Sequence, residues 1–121
     1  MASILVVDDD PNNQRMLSYT LRKAGYQVRV ASNGQLALDA LRQERADFAI
    51  IDLAMPVMDG LTFLRQVRAD EDMHTLPVII LTASGDDEEN HLAMQAGANG
   101  FLTKPISSST ILDMVQKMIQ G

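Results

Sequence analysis

A doubly wound α/β fold, with parallel strands and helices alternating in one domain, is the architecture this sequence predicts. Three observations carry that expectation. Short apolar runs recur from one end of the chain to the other. The stretches between them place apolar residues at helical spacing. Residues that start and stop helices stand at the joints. Such alternation means a parallel sheet covered by helices on both faces.

The first strand is Ile4-Leu5-Val6-Val7. Asp10-Pro11 then reads as a helix cap followed by proline at the first helical position. Leu17, Leu21 and Ala24 keep helical spacing, and Gly25 closes that helix. Gln27-Val28-Arg29-Val30 is the second strand, and Asn33 caps a helix carrying Ala37, Ala40 and Leu41. Phe48-Ala49-Ile50-Ile51 follows, and Asp59-Gly60 makes a turn into a helix with Phe63, Leu64 and Val67. After Val78-Ile79-Ile80-Leu81, the weaker stripe from Leu92 to Ala96 falls where a fourth crossover helix is required, with Gly97 to end it. Phe101-Leu102-Thr103 is the last strand, and Ser107 or Ser108 starts a final helix bearing Leu112, Val115 and Ile119. Strands one, three and four are continuously apolar, as central strands are. Strand two alternates and strand five is short, so both suit edges. The expected arrangement is a (βα)5 sheet in the flavodoxin-like order 2-1-3-4-5.

Composition narrows the class of function. With 121 residues, 46% hydrophobic and 21% charged, the chain is an ordinary globule of one domain, 1–121. It has no cysteine, so disulfides and thiolate metal sites are excluded. No signal-peptide pattern opens it and no apolar run is long enough for a membrane span, so a cytoplasmic location is expected. A formal charge of −6 speaks against direct binding to nucleic acid.

In an open parallel sheet, ligands bind beyond the carboxyl ends of the strands, where the winding reverses. Strand one ends in Asp8-Asp9-Asp10, strand three in Asp52, strand four in Thr82 and strand five in Lys104. Singly, each has an ordinary role: Asp10 as a helix cap, Asp8 and Asp9 as turn residues, Thr82 in a strand, Lys104 in solvent. Together they do not. Two carboxylates about 4 Å apart repel by about 4 kcal/mol at an effective dielectric near 20. A cluster at the switch point therefore implies a bound cation, and oxygen-only ligands imply a hard one. Few carboxylates, with positions left for water and phosphate oxygens, favour Mg²⁺ over Ca²⁺. An acidic metal site beside a lysine and a hydroxyl suits phosphoryl transfer with a carboxylate as acceptor. Spacing alone does not say which aspartate is attacked.

These residues resemble the receiver domains of bacterial two-component response regulators. The resemblance runs from Ile4 to about Ile119 and rests on four motifs in order. They are Leu5-Val6-Val7-Asp8-Asp9; Ile51-Asp52-Leu53-Ala54-Met55-Pro56 with Met58-Asp59-Gly60; Leu81-Thr82-Ala83; and Lys104-Pro105. It implies a phosphoacceptor at Asp52 and Mg²⁺, for which Mn²⁺ could substitute. Asp9 would ligate the ion directly, Asp8 through water, and the Ala54 carbonyl and Asp52 would contribute. Lys104 and Thr82 would bind phosphoryl oxygens, and Phe101 would be the switch aromatic that turns inward with Thr82. Ala54 and Ser84 occupy positions that modulate the lifetime of the phosphoryl group, and the Lys104-Pro105 bond would be cis. The implied partners are a sensor histidine kinase or phosphotransfer protein and a downstream protein at the face formed by helix four, strand five and helix five. Met94, Met114 and Met118 are candidates to line that face. No output domain is expected, nor any enzymatic activity beyond the chain's own phosphorylation and dephosphorylation. His74 and His91 receive no role.

Three other readings compete. A haloacid-dehalogenase-type phosphatase has an Asp-x-Asp motif, met by Asp8-Asp9-Asp10, but Pro11 follows at once and no later acidic pair follows Lys104. A flavodoxin-type FMN carrier would need Ser, Thr and Gly where three aspartates stand. A receiver-like interaction module that is not phosphorylated usually lacks an acid or the lysine, and this chain keeps them.

Overall fold

The computed structural model describes residues 2–52, 58–82, 87–104 and 106–120, without the side chains of 87–89, 119 and 120. Strands and helices alternate in the predicted sequence. They are β1 (Ser3–Val7), α1 (Pro11–Lys23), β2 (Gln27–Ala31), α2 (Gly34–Gln43), β3 (Phe48–Asp52), α3 (Gly60–Ala69), β4 (Val78–Thr82), α4 (Asp87–Gln95), β5 (Gly100–Thr103) and α5 (Ser108–Gln120). All strand pairs are parallel, in the order β2-β1-β3-β4-β5. The flavodoxin-like expectation holds.

Because side chains alternate across a strand, each central strand feeds two cores. Leu5, Val7, Ala49, Ile51, Val78 and Ile80 face a cluster completed by Ala37, Leu41, Phe63, Leu64 and Val67 from α2 and α3. Ile4, Val6, Phe48, Ile50, Ile79 and Leu81 face the other, with Leu17 and Leu21 from α1 and Ile111 and Val115 from α5. Burying a side chain such as Phe63 contributes about 1.5–3 kcal/mol relative to leaving it in water. These two dry layers fix the strand ends in space.

The helix caps follow the local chemistry. Asp10 and Asn33 accept from the backbone N–H groups of Asn12 and Leu36, and Pro11 opens α1. Ser107 accepts from the N–H of Thr110 and so caps α5. Gly25 and Gly97 take positive φ values of 101° and 106° after α1 and α4, where a side chain would be strained. Two details depart from the sequence pattern. Val30 is 46% exposed although it shares a strand face with buried Val28, because β2 is an edge strand and Val30 opens onto a cleft lined by Ser18, Tyr19 and Arg22 of α1. Helix α4 begins at Asp87, before the Leu92 stripe.

At the rim where the strands begin, Arg68 of α3 joins two connections. It donates to the carbonyls of His74 and Leu76 before β4 (3.1 and 2.7 Å) and to Gly97 after α4 (2.9 Å). It also donates to Asn99 Oδ1 (3.0 Å), which accepts from the Val78 N–H as well (2.8 Å).

Candidate functional site

The opposite rim gathers the polar strand ends. Asp8 extends the β1–β2 ladder, its N–H donating to Ala31 (3.0 Å), and the whole residue is buried. Its Oδ1 accepts from the Asp10 N–H at 2.9 Å. Its Oδ2 is buried with no hydrogen-bond partner among the described residues. Burial pushes the Asp8 carboxyl above the ordinary carboxylate range, and the Asp52 charge adds to this. The Asp10 N–H, Lys104 and the Asn13 side chain pull the other way.

Asp52 is the last residue of β3 and is 6% exposed. Lys104 stands one residue past β5, held there by its own N–H donating to the Thr82 carbonyl (2.8 Å). From that anchor its ammonium reaches across β4 to Asp52 Oδ2, 3.0 Å away. Thr82 closes β4, fully buried, with its hydroxyl 3.5 Å from both the Leu102 carbonyl and Thr103 Oγ1. Asp9 lies on the exposed side of the group. One carboxylate oxygen from each of Asp8, Asp9 and Asp52 falls within a sphere where all lie within 4.8 Å of one another.

Three carboxylates face one ammonium, so the cluster carries excess negative charge over a small volume. The buried, unpartnered Asp8 oxygen marks where compensation is missing. An all-oxygen donor set with neither histidine nor cysteine fits a hard divalent cation such as Mg²⁺.

Asp8, Asp9, Asp52, Thr82 and Lys104 thus meet at one rim, as the strand ends predict. Phe101 is half-buried, packed against the α2–α3 core and paired in register with Ile80. Ala54, Ser84 and Pro105, with the Lys104-Pro105 bond, lie outside the described residues. His74 engages the Glu71 carbonyl and His91 is exposed, and neither belongs to the acidic group. Met94 is 43% exposed, whereas Met114 and Met118 tuck against Gly100 and the core. Two residues absent from the sequence reading also touch the acidic loop. The Asn13 side chain acts on the Asp8 carboxyl by favouring its charged form, and the Gln14 amide donates to the Asp8 carbonyl. Their only signal was position, on the first turn after a capped acidic loop.

Comparison with known proteins agrees with this geometry. The family model described as response regulator receiver domain matches residues 4–116, and the chain belongs to that family. It is 35% identical to the protein PilH of Pseudomonas aeruginosa over 121 residues, covering 100% of each chain. It is 36% identical to the chemotaxis protein CheY-3 of Vibrio cholerae over 118 residues, covering 97% of this chain and 91% of that one. Among solved structures, the receiver domain of the sensor histidine kinase PA1611 from P. aeruginosa superposes with a TM-score of 0.92. It is 32% identical and covers 99% of this chain and 98% of that one. That structure has a magnesium ion coordinated in its active site cleft. The chain is therefore a receiver domain of two-component signalling, a class of switches distinct from classical enzymes.

Proposed function

We propose that this receiver is a phosphoacceptor switch: Asp52 takes a phosphoryl group from a phosphohistidine on a sensor histidine kinase or phosphotransfer protein. The observation that carries the reading is the Lys104 ammonium 3.0 Å from Asp52 within a triad of carboxylates. In the step, an Asp52 oxygen forms a bond to phosphorus as the bond from phosphorus to the donor imidazole nitrogen breaks. That imidazole keeps the electron pair and takes up a proton, and the product is an acyl phosphate. Asp8, Asp9 and Asp52, with the Ala54 carbonyl, would hold Mg²⁺, and Mn²⁺ is a candidate substitute. When bound, the ion neutralises charge on the phosphoryl oxygens and so supports their transfer. Lys104 orients Asp52 beforehand and pairs with an incoming phosphoryl oxygen.

The signal then passes through Thr82. Its hydroxyl makes long contacts to the β5 end, and a phosphoryl oxygen is a stronger acceptor for it. Movement of Thr82 toward the acyl phosphate makes room for Phe101 to turn inward. This biases a two-state equilibrium of the α4–β5–α5 face, which a downstream protein reads. Ala54 and Ser84 set how long the acyl phosphate lasts. No helix among the described residues is long and apolar enough to cross a membrane. With the receiver family's signalling role, this supports a cytoplasmic site of action. The reading applies to residues 1–121 as a single receiver unit.

Incubation with acetyl phosphate and Mg²⁺, followed by intact mass measurement, tests the assignment. One phosphoryl group should be added to wild type and none to Asp52→Asn. Equal gain in both proteins would sink it.

A further inference from the structure

We infer that Gln14 is a positioning residue for the cation site, holding the acidic loop through the backbone of Asp8. The inference rests on the Mg²⁺ reading above and deepens it. Side chains on a helix lean back toward its N-terminus. Gln14 lies one turn into α1, with its own N–H donating to the Asp10 carbonyl (3.0 Å), so its side chain folds back over residues 8–10. There its Nε2 donates to the Asp8 carbonyl, and it also approaches Ser32 Oγ at 3.3 Å.

Asp8 is thereby gripped on both sides of its α-carbon. Its N–H is fixed to Ala31 and its carbonyl to Gln14, while Gln14 reaches the residue after Ala31. A fully buried carbonyl just past the end of a strand has no ladder partner of its own, so this amide satisfies it. The clamp removes rotation about the backbone at Asp8, and with it the freedom of the Asp8 and Asp9 carboxylates to splay apart under mutual repulsion. Outer partners of this kind typically change metal affinity by about 10–100-fold. Met has nearly the shape of Gln and a good helix propensity but no N–H, so Gln14→Met removes the amide's bonds to Asp8 and Ser32 and little else.

Isothermal titration of Mg²⁺ into the full chain, well below the melting temperature of each protein, tests this. Wild type should bind, Asp9→Ala should not, and Gln14→Met should bind about tenfold more weakly. Gln14→Ala should behave as Gln14→Met does and guards against a peculiarity of the thioether. Melting temperatures in EDTA are measured alongside. A lower metal-free melting temperature with wild-type affinity would make Gln14 a purely structural residue and overturn the inference. Absence of Mg²⁺ uptake by wild type itself would instead remove the metal reading on which it stands.

Discussion

Two buried carboxylates of this site live under opposite conditions. Asp52 has an ammonium 3.0 Å away, whereas Asp8 has one N–H on Oδ1 and nothing described on Oδ2. Burial therefore raises the Asp8 value in the folded protein above its unfolded one. The sign of the linkage follows. Between the two values the native state binds more protons than the unfolded chain, so stability falls as pH rises through that window. Below the unfolded value the penalty is absent, and above the folded value it is complete. Asp8→Asn should thus melt higher than wild type at pH 7 in EDTA, and the gap should shrink as pH drops into the ordinary carboxylate range. A gap that does not depend on pH would contradict this. Asp8, Asp52 and Lys104 were readable from sequence because strand ends in a parallel sheet converge on one rim. Gln14 was not, since a glutamine on a helix has no chemistry that announces its partner; only the folded path of the loop does.

Helix boundaries were read from caps more faithfully than from apolar stripes. Asp59, read as part of a turn, accepts the Thr62 N–H at 2.8 Å and is the N-cap of α3, with Gly60 as the first helical residue. Asp59→Ala should cost about 1 kcal/mol in chemical denaturation, the usual loss for such a cap. An unchanged midpoint and slope would show that the bond contributes nothing. Helix α4 was the least legible element. Ala93 is buried but Leu92 and Met94 are 40% and 43% exposed, so few apolar residues mark its inner face. Asn90, also buried, has an Oδ1 without a hydrogen-bond partner among the described residues, which no hydrophobic pattern anticipates.

At the scale of the molecule, apolar pattern separated central strands from edges, because runs that are apolar throughout need cover on both faces, and the order then followed by its match to the flavodoxin-like arrangement. What remained hidden was the end of β2, where Val30 alternates correctly yet faces solvent. A cation that binds only the folded chain stabilises the whole of it, by about 2.7 kcal/mol at a concentration of 100 Kd. Mg²⁺ should raise the melting temperature of wild type by on the order of 10 °C under that condition and leave Asp9→Ala unmoved. Equal shifts in the two proteins would exclude Asp9 as a ligand. The Arg68 guanidinium, finally, has a mechanical corollary. It ties the trailing end of α4, through the Gly97 carbonyl, to the connection leading into β4. Any rearrangement of α4 that leaves those bonds intact must swing like a gate on that post. The sweep is widest at the leading end of the helix, so displacement is magnified there and damped beside Gly97.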